Sequence, residues 1–478
     1  MRNVNEEMKN GLRHMVMALL AIVLLVGCSA ESSTAEQPGT QPNGDVIVLG
    51  VSEVVAPTTR SQHTGVMDFG MLKTTGFGIY AYEGADAYNS ASSVFNLLPA
   101  NTQVTFEEGG TDPTTLLTIP GSWKYAATAS ELKEWQAGKK YTFFAYAPYM
   151  STGEGTVGTD AGINTITTGG AGDPTITYTV ATDPAESVDL LWGVRTAYTS
   201  GGTDYGAGLP WKNITKGQTT SAVLFTFYHA LCAIGYHAQV MVDQTNDLDN
   251  LGDISTLGTI GSADGCKVTL KSITLEPDNT RSKAGLFYSN GVLNLNNTTA
   301  HQPLWTVTSG SLLSSLVLDG TKIDSQLLDP KTTDFSYSNP TNYDVMTNVA
   351  YDNEVPGITE SANTQTVIAK DGSGKERFYM LIPYREACDY KLTIEYYLTY
   401  KTGTGAYHRE AIRGTATLQD LMLEAGVKYY INLVFGLTTF KVSVTAQDWA
   451  ETTEAVTIAT ETGTSASNSL APRRQQKE

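Results

Sequence analysis

The residues best suited to chemistry are few, and they do not combine into a known catalytic set. Gly153, Gly155 and Gly158 spell GxGxxG, a pattern whose backbone amides bind phosphate when it joins a strand to a helix. Here the pattern lies in a Gly/Thr-rich segment with no strand before it and no helix after it, so we interpret the match as chance. The sequence contains no GxSxG, HExxH or P-loop pattern. We therefore predict no enzymatic activity and no cofactor.

A cluster of aspartates offers oxygen ligands of the kind that calcium prefers. The cluster lies in DQTNDLDNLGD and comprises Asp243, Asp247, Asp249 and Asp253. The spacing excludes an EF-hand, because Leu248 stands where that loop needs glycine and Ile254 where it needs glutamate. The sequence leaves open a looser calcium loop and a solvated acidic loop, and we assign no metal ligand.

Two histidines, His229 and His237, would share one face if the segment between them were a single continuous strand. Two histidines supply only half of a zinc site. We expect them to be hydrogen-bonded core residues.

Composition narrows the class of protein further. The 478 residues are 41% hydrophobic and 17% charged, which suits packed domains rather than a disordered chain. The formal charge of −18 argues against a nucleic-acid partner, because phosphate binding requires a basic surface.

The first 28 residues have the features of an export signal. Lys9 and Arg13 precede an apolar stretch, MVMALLAIVLLVG, that is short for a membrane span of about 20 residues. The stretch ends in LLVGC, a sequence that resembles a bacterial lipobox with Cys28 as the lipidated residue. We expect a signal peptide at 1–27, acylation of Cys28, and a flexible Ser/Thr/Pro-rich tether at 28–44. The alternative is an ordinary secretory signal with an incidental cysteine.

Beyond residue 45, short segments rich in Val, Ile, Thr, Tyr and Phe alternate with Gly, Asn, Asp and Pro. FKVSVTA, at 440–446, has the strict alternation of a strand with one solvated face. We predict an all-β chain with two sandwich domains, at 45–215 and 216–460, followed by a disordered tail at 461–478. SELKEWQAG, from Ser130 to Gly138, is predicted as a short helix.

The remaining cysteines and tryptophans allow two interpretations each. Cys232, Cys266 and Cys388 show no CxxC spacing, so at most one disulfide can form, and we expect buried free thiols. Four of the six tryptophans could be core residues or a glycan-binding surface; they are Trp123, Trp135, Trp192 and Trp211.

The order of the strand motifs resembles the fimbrillin family, the FimA/Mfa-like pilus subunits of Bacteroidales. The resemblance covers most of residues 45–450. It rests on the lipobox, TTR (58–60), GFGIYAY (76–82), YTFFAYAPY (141–149), VDLLWG (188–193), FTFYHALCAIGY (225–236), VTLKSITL (268–275), YMLIPY (379–384) and VSVTAQDW (442–449). One departure is Tyr384, where the family often has glutamine.

The resemblance implies two transthyretin-like β-sandwich domains, no enzymatic activity, and polymerisation with other fimbrial subunits. Family members travel as lipoproteins to the outer membrane, where an arginine-specific protease removes the first strand and a neighbouring subunit's strand fills the groove. Here the removable strand corresponds to Val46–Val55, and its leading apolar residues are Val46, Ile47, Val48, Leu49 and Val51. Arg60–Ser61 matches the cleavage site, and Arg60 is the only lysine or arginine between Cys28 and Lys73.

The matching donor is placed in the C-terminal segment, where Val456 and Ile458 alternate with Thr457 and Ala459. A mobile tail is the alternative. A fimbrial tip adhesin or a glycan-binding surface lipoprotein, with host or bacterial surface ligands, remains the competing function.

Overall fold

The prediction of an all-β protein is confirmed by the structure, a computed structural model. It describes residues 46–54, 66–111, 118–119, 121–126, 128–151, 160–167, 169–218, 222–241, 267–307, 310–328, 357–359, 365–401, 407–436, 439–448 and 456–466. Within these ranges one α-helix, α1 (Phe69–Thr75), and 29 strands are present. No helix in the described part of the chain is long and apolar enough to cross a membrane.

The strands of the N-terminal half are β1 (Leu49–Val54), β2 (Phe77–Gly84), β3 (Thr102–Glu107), β4 (Gly110–Thr111), β5 (Thr118–Ile119), β6 (Ser122–Lys124), β7 (Lys140–Ala147), β8 (Gly162–Ile166), β9 (Thr175–Thr179), β10 (Leu191–Arg195), β11 (Tyr198–Ser200), β12 (Thr203–Tyr205), β13 (Trp211–Ile214) and β14 (Val223–His229). Eight of them form one sheet in the order β1-β14-β10-β7-β2-β3-β6, with β13 also paired to β7.

The strands of the C-terminal half are β15 (Cys232–Val240), β16 (Lys267–Pro277), β17 (Phe287–Tyr288), β18 (Asn290–Asn294), β19 (Leu304–Val307), β20 (Leu312–Leu313), β21 (Leu316–Asp319), β22 (Ile358–Thr359), β23 (Thr366–Val367), β24 (Tyr379–Leu381), β25 (Tyr384–Lys401), β26 (Tyr407–Leu423), β27 (Val427–Phe435), β28 (Thr439–Asp448) and β29 (Val456–Ala466). An 11-stranded sheet runs β21-β16-β25-β26-β29-β28-β27-β15-β23, and β22 and β24 pair with β16 and β15.

A third sheet takes strands from both halves of the chain. Its order is β19-β18-β9-β8, and β9 pairs antiparallel with β18 over five residues, from Thr179↔Asn290 to Thr175↔Asn294. Ile176 of β9 and Leu293 of β18 belong to the same buried cluster as Tyr80 and Tyr146 of the N-terminal sheet. The two halves therefore share a core.

The N-terminal sheet is buried on both faces because its strands alternate between two clusters. On β2, Phe77 and Ile79 lie in a core confined to the N-terminal half, whereas Tyr80 lies in the core that continues through the C-terminal sheet. This explains why β2 and β7 are apolar almost throughout rather than at every second residue.

The change of sheet does not fall at the predicted division between 215 and 216. β14 pairs with β10 of the N-terminal sheet, and the chain enters β15 of the C-terminal sheet after only Ala230 and Leu231. We therefore propose a boundary at 230–231. β29 extends into the segment 461–478 that the sequence predicts as a disordered tail, where its backbone pairs with β28 as far as Thr464 and with β26 as far as Ala466.

The helix predicted for Ser130–Gly138 is wrong as well. Only a 3-10 turn, Ala129–Glu131, forms there. The carbonyl of Lys133 accepts the amide of Ile47 at 2.7 Å, and the amide of Gln136 donates to the Tyr141 hydroxyl at 2.7 Å. The backbone groups that would close a helix are thus engaged by other parts of the chain.

The α-helix that does form was not predicted. Asp68 caps α1 by accepting the Met71 amide at 2.7 Å, and Gly76, with φ of 69°, ends it.

Candidate functional site

The first strand lies at the edge of the N-terminal sheet and is hydrogen-bonded on both sides. β1 runs parallel to β14, in a register from Leu49↔Val223 to Val54↔Phe227. The Val223 amide also donates to the Val48 carbonyl at 2.8 Å. On the opposite side the Tyr125 hydroxyl donates to the Ile47 carbonyl at 2.9 Å, and Val46 forms a β-bridge with Glu134.

The apolar side chains of this segment fill a groove in the N-terminal core. Ile47, Leu49 and Val51 are 2–3% exposed, whereas Val48 is half-buried, so one face enters the core. After a bulge between Val51 and Glu53, Val54 is buried as well. At about 1.5–3 kcal/mol for each buried side chain, these four residues contribute about 6–12 kcal/mol.

The groove is lined by aromatic and aliphatic side chains of the N-terminal core. The buried members of this cluster from α1, β2 and β14 are Met71, Leu72, Phe77, Ile79, Ala81, Val223, Phe225 and Phe227. Removal of β1 would therefore expose an apolar floor beside the unpaired backbone of β14.

The chain is anchored again soon after the first strand. The amide of Met67 donates to Asp189 Oδ2 at 2.8 Å, and the same carboxylate oxygen lies 2.7 Å from Nδ1 of His229 on β14. Arg60, Ser61 and Cys28, assigned as cleavage and lipidation sites, lie outside the described residues. Arg60 therefore lies in sequence between β1, which pairs with β14, and Met67, which is held by Asp189 next to His229 at the end of β14.

The two histidines do not share a continuous strand. His229 ends β14 of one sheet and His237 lies on β15 of another, where its Nε2 is 3.0 Å from Glu376 Oε1. Their expected role as core residues paired with polar groups is confirmed for the buried His229–Asp189 pair. The described residues contain no group of three or more His, Cys, Asp or Glu side chains that could hold a metal ion, and the cluster from Asp243 to Asp253 lies outside them.

The C-terminal segment occupies an interior position in the chain's own sheet. β29 is antiparallel to both neighbours, from Ala446↔Val456 to Thr439↔Thr464 on β28 and from Thr415↔Thr464 to Arg413↔Ala466 on β26. The register on β28 shifts at Ile458. The donor candidate is thus a strand within the described structure, and its backbone fills the space between β26 and β28.

Tryptophans predicted as core or glycan-binding residues belong to the cores. Trp192 and Trp211 are 1–2% exposed, and Trp123 and Trp135 pack against the N-terminal cluster. Cys232 and Cys388 are buried free thiols, and burial raises the pKa of the Cys232 thiol to about 12. Cys266 is not among the described residues.

Sequence reasoning missed Asp189, which fixes the chain after the first strand. Its signal was a single acid in the otherwise apolar stretch around VDLLWG. A fully buried carboxylate there requires a partner, and His229 and the Met67 amide supply it.

The comparisons with known proteins agree with this architecture. No protein-family model matches the chain. The chain is 30% identical over 225 residues to the fimbrium subunit Fim1C of Phocaeicola vulgatus, an alignment that covers 46% of this chain and spans about half, 48%, of that relative. The crystal structure of a fimbrial protein from Bacteroides vulgatus ATCC 8482 superposes with a TM-score of 0.52 at 22% identity, covering 85% of this chain and 99% of that one, which shows a shared fold. About half of the chain is thus similar in sequence to a fimbrium subunit, and most of it shares the fold of a fimbrial protein.

Proposed function

We propose that this protein is a structural, non-catalytic subunit of a cell-surface fimbria and that it polymerises by protease-gated strand exchange. The observation that carries the proposal is a first strand whose apolar face is buried in the core while its backbone lies at a sheet edge. The names of the similar proteins, a fimbrium subunit and a fimbrial protein, support the same role.

Export and release form the first part of the proposed mechanism. Acylated Cys28 anchors the precursor in outer-membrane lipid, and an arginine-specific protease cleaves Arg60–Ser61. Cleavage separates β1 covalently from the chain that is fixed at Met67, so β1 is then retained only by its non-covalent contacts. Its departure leaves an open edge on β14, and such an edge is a strong template for an incoming strand.

The proposed donor is β29 of a neighbouring subunit. β29 has 11 residues and β1 has 6, so the donor is long enough to replace the ladder that β1 makes. In the structure described here β29 pairs with its own sheet. Exchange therefore requires β29 to leave β26 and β28 before it can enter the next subunit.

The first test is cleavage-dependent polymerisation with an Arg60→Ala variant. Treatment with an arginine-specific protease should convert the wild type into SDS-resistant ladders and leave Arg60→Ala monomeric. Arg281→Ala, which removes a half-exposed arginine on the C-terminal half, is the matched control and should polymerise as the wild type does. Equal polymerisation of Arg60→Ala and the wild type would show that cleavage at Arg60–Ser61 does not control polymerisation.

A second test separates cleavage from strand departure. The hydroxyls of Ser52 on β1 and Thr226 on β14 are 2.9 Å apart, so a Ser52→Cys/Thr226→Cys pair is well placed to form a disulfide. The oxidised double variant should be cleaved and stay monomeric, and reduction should start polymerisation. The single variant Ser52→Cys should polymerise under both conditions. Polymerisation of the oxidised double variant would contradict release of β1 as the gating step.

A further inference from the structure

A cleft of about 340 Å³ lies where β19 of the shared sheet meets the start of β25. Its volume is at the lower end of the ~300–1,000 Å³ range of small-molecule sites. None of the described residues that line it belongs to β1 or β14. The cleft is therefore separate from the groove proposed for strand exchange.

The cleft presents three half-buried aromatic rings, those of Tyr288, Trp305 and Tyr384. The Trp305 indole N–H donates to the Ala230 carbonyl at 2.8 Å, which fixes the ring and leaves its carbon surface available. The rings of Tyr288 and Tyr384 meet edge to face, with centroids 5.8 Å apart. Fixed aromatic surfaces in a concave site suit a ligand with flat apolar faces, such as the C–H face of a pyranose.

Polar side chains complete the lining. Arg385 donates from Nη1 to Gln302 Oε1 at 2.5 Å, and Thr299 also lines the cleft. Burial, together with the neighbouring Glu386, raises the pKa of the Tyr384 hydroxyl to about 12, and this hydroxyl keeps lone pairs that can accept a hydrogen bond. Hydroxyl, amide and guanidinium groups beside aromatic faces match a ligand that alternates hydroxyls with C–H surface.

The charge of the lining restricts the kind of ligand further. Among the described lining residues Arg385 is the one charged side chain, and no carboxylate is present. Glu386 lies beside the rim and accepts the Tyr384 hydroxyl at 3.1 Å. An exposed arginine in a lining without acids favours a carboxylate, which it can bind through two parallel hydrogen bonds.

We propose that this cleft binds a short glycan, with a carboxylate-bearing sugar placed at Arg385. The proposal goes beyond the role as a polymer subunit and does not depend on strand exchange. It moves the glycan-binding hypothesis from the tryptophans of the cores to an aromatic cluster that no single sequence segment contains.

The test measures glycan binding to the full-length protein in detergent by calorimetric titration. The probes are 3′-sialyllactose and lactose, which differ by one acidic sugar. 3′-Sialyllactose should bind at least about tenfold more tightly than lactose. Arg385→Met should lower the affinity for 3′-sialyllactose about tenfold and leave that for lactose unchanged, since one charge-assisted contact is lost. Lys283→Met removes one positive charge from an exposed ion pair and should change neither affinity.

A second experiment tests whether the glycan binds in this cleft, by placing a larger side chain in it. Leu304 lines the cleft and is 38% exposed, so Leu304→Trp should abolish binding of both probes. Leu312, 44% exposed and not among the lining residues, provides the control Leu312→Trp, which should bind normally. Circular dichroism and unchanged cleavage-dependent polymerisation of all four variants would show that they fold.

Three results would overturn the proposal. They are no binding of either probe to the wild type, equal affinity for both probes that Arg385→Met does not alter, and full binding by Leu304→Trp. Each leaves the polymerisation experiments unaffected, so failure of this site and failure of the subunit role remain distinguishable.

Discussion

Replacement of Leu49 by alanine should loosen the first strand while the rest of the protein stays folded. Leu49 is 2% exposed, opens β1, and lies between the similarly buried Ile47 and Val51 on the apolar face of this segment. Leucine-to-alanine changes in cores cost about 2–5 kcal/mol. Because β1 is an edge strand whose surroundings can relax, we expect the lower part of that range, about 2–3 kcal/mol. At about 1.4 kcal/mol for each factor of ten, the open population should rise about 30- to 140-fold.

Hydrogen exchange followed by mass spectrometry measures this opening directly. Peptides that cover 46–54 and 223–229 should exchange about 30- to 140-fold faster in Leu49→Ala, because the amides that pair β1 with β14 become exposed together. Cleavage by an arginine-specific protease should accelerate as well. Peptides of the C-terminal sheet, such as those from β27, should be unchanged.

Leu392→Ala is the matched control, since Leu392 on β25 is fully buried but lies in the C-terminal sheet. It should lower the free energy of unfolding without selectively increasing exchange in 46–54. If both variants accelerated exchange of all peptides equally, β1 would open only with the whole fold. That outcome would refute the reasoning that β1 is a separately removable element.

Three further predictions concern residues that stabilise the fold. Asp189→Asn should lower the free energy of unfolding in urea by about 2–3 kcal/mol, because it leaves His229 without its buried carboxylate; a loss below 0.5 kcal/mol would contradict this. Cys232, whose pKa is raised to about 12 by burial, should resist iodoacetamide at pH 8.5 until the protein is unfolded. Its stabilising contribution is fully present below the unfolded thiol pKa of about 8.5 and is lost as pH rises toward 12, so stability should fall less steeply above pH 9 in Cys232→Ala. Gly414→Val should cost about 1–3 kcal/mol in thermal or urea unfolding, because a β carbon there meets the Phe440 ring, whereas Thr415→Val on the exposed face should stay within about 0.5 kcal/mol.

The strand content was predictable from sequence because alternation and β-branched composition act locally. Phe440, Val442 and Val444 face the core as their spacing predicts. The predicted helix at Ser130–Gly138 failed because its backbone groups pair with Ile47 and Tyr141, contacts that local propensity does not contain. The point at which the chain changes sheet was not predictable for a related reason: the two-residue passage from β14 to β15 has no Gly- or Pro-rich linker to mark it.

The candidate site was predictable only in part. The apolar run at Val46–Val51 indicated a buried strand, and the fimbrillin resemblance supplied its role. Its parallel pairing with β14, more than 170 residues away, follows from the whole topology and from no local pattern. The cleft was not predictable from sequence for the same reason, because Trp305 and Tyr384 come together only in the assembled sheets.

The sheet β19-β18-β9-β8 gives the subunit a mechanical property. Its central ladder, β9 against β18, joins one half of the chain to the other through backbone hydrogen bonds as well as through the common core. Two domains joined only by a linker would swing apart under tension, as beads do on a string. Here the halves can separate only after the ladder between β9 and β18 breaks, so each subunit of the proposed fibre would resist tension between its two halves.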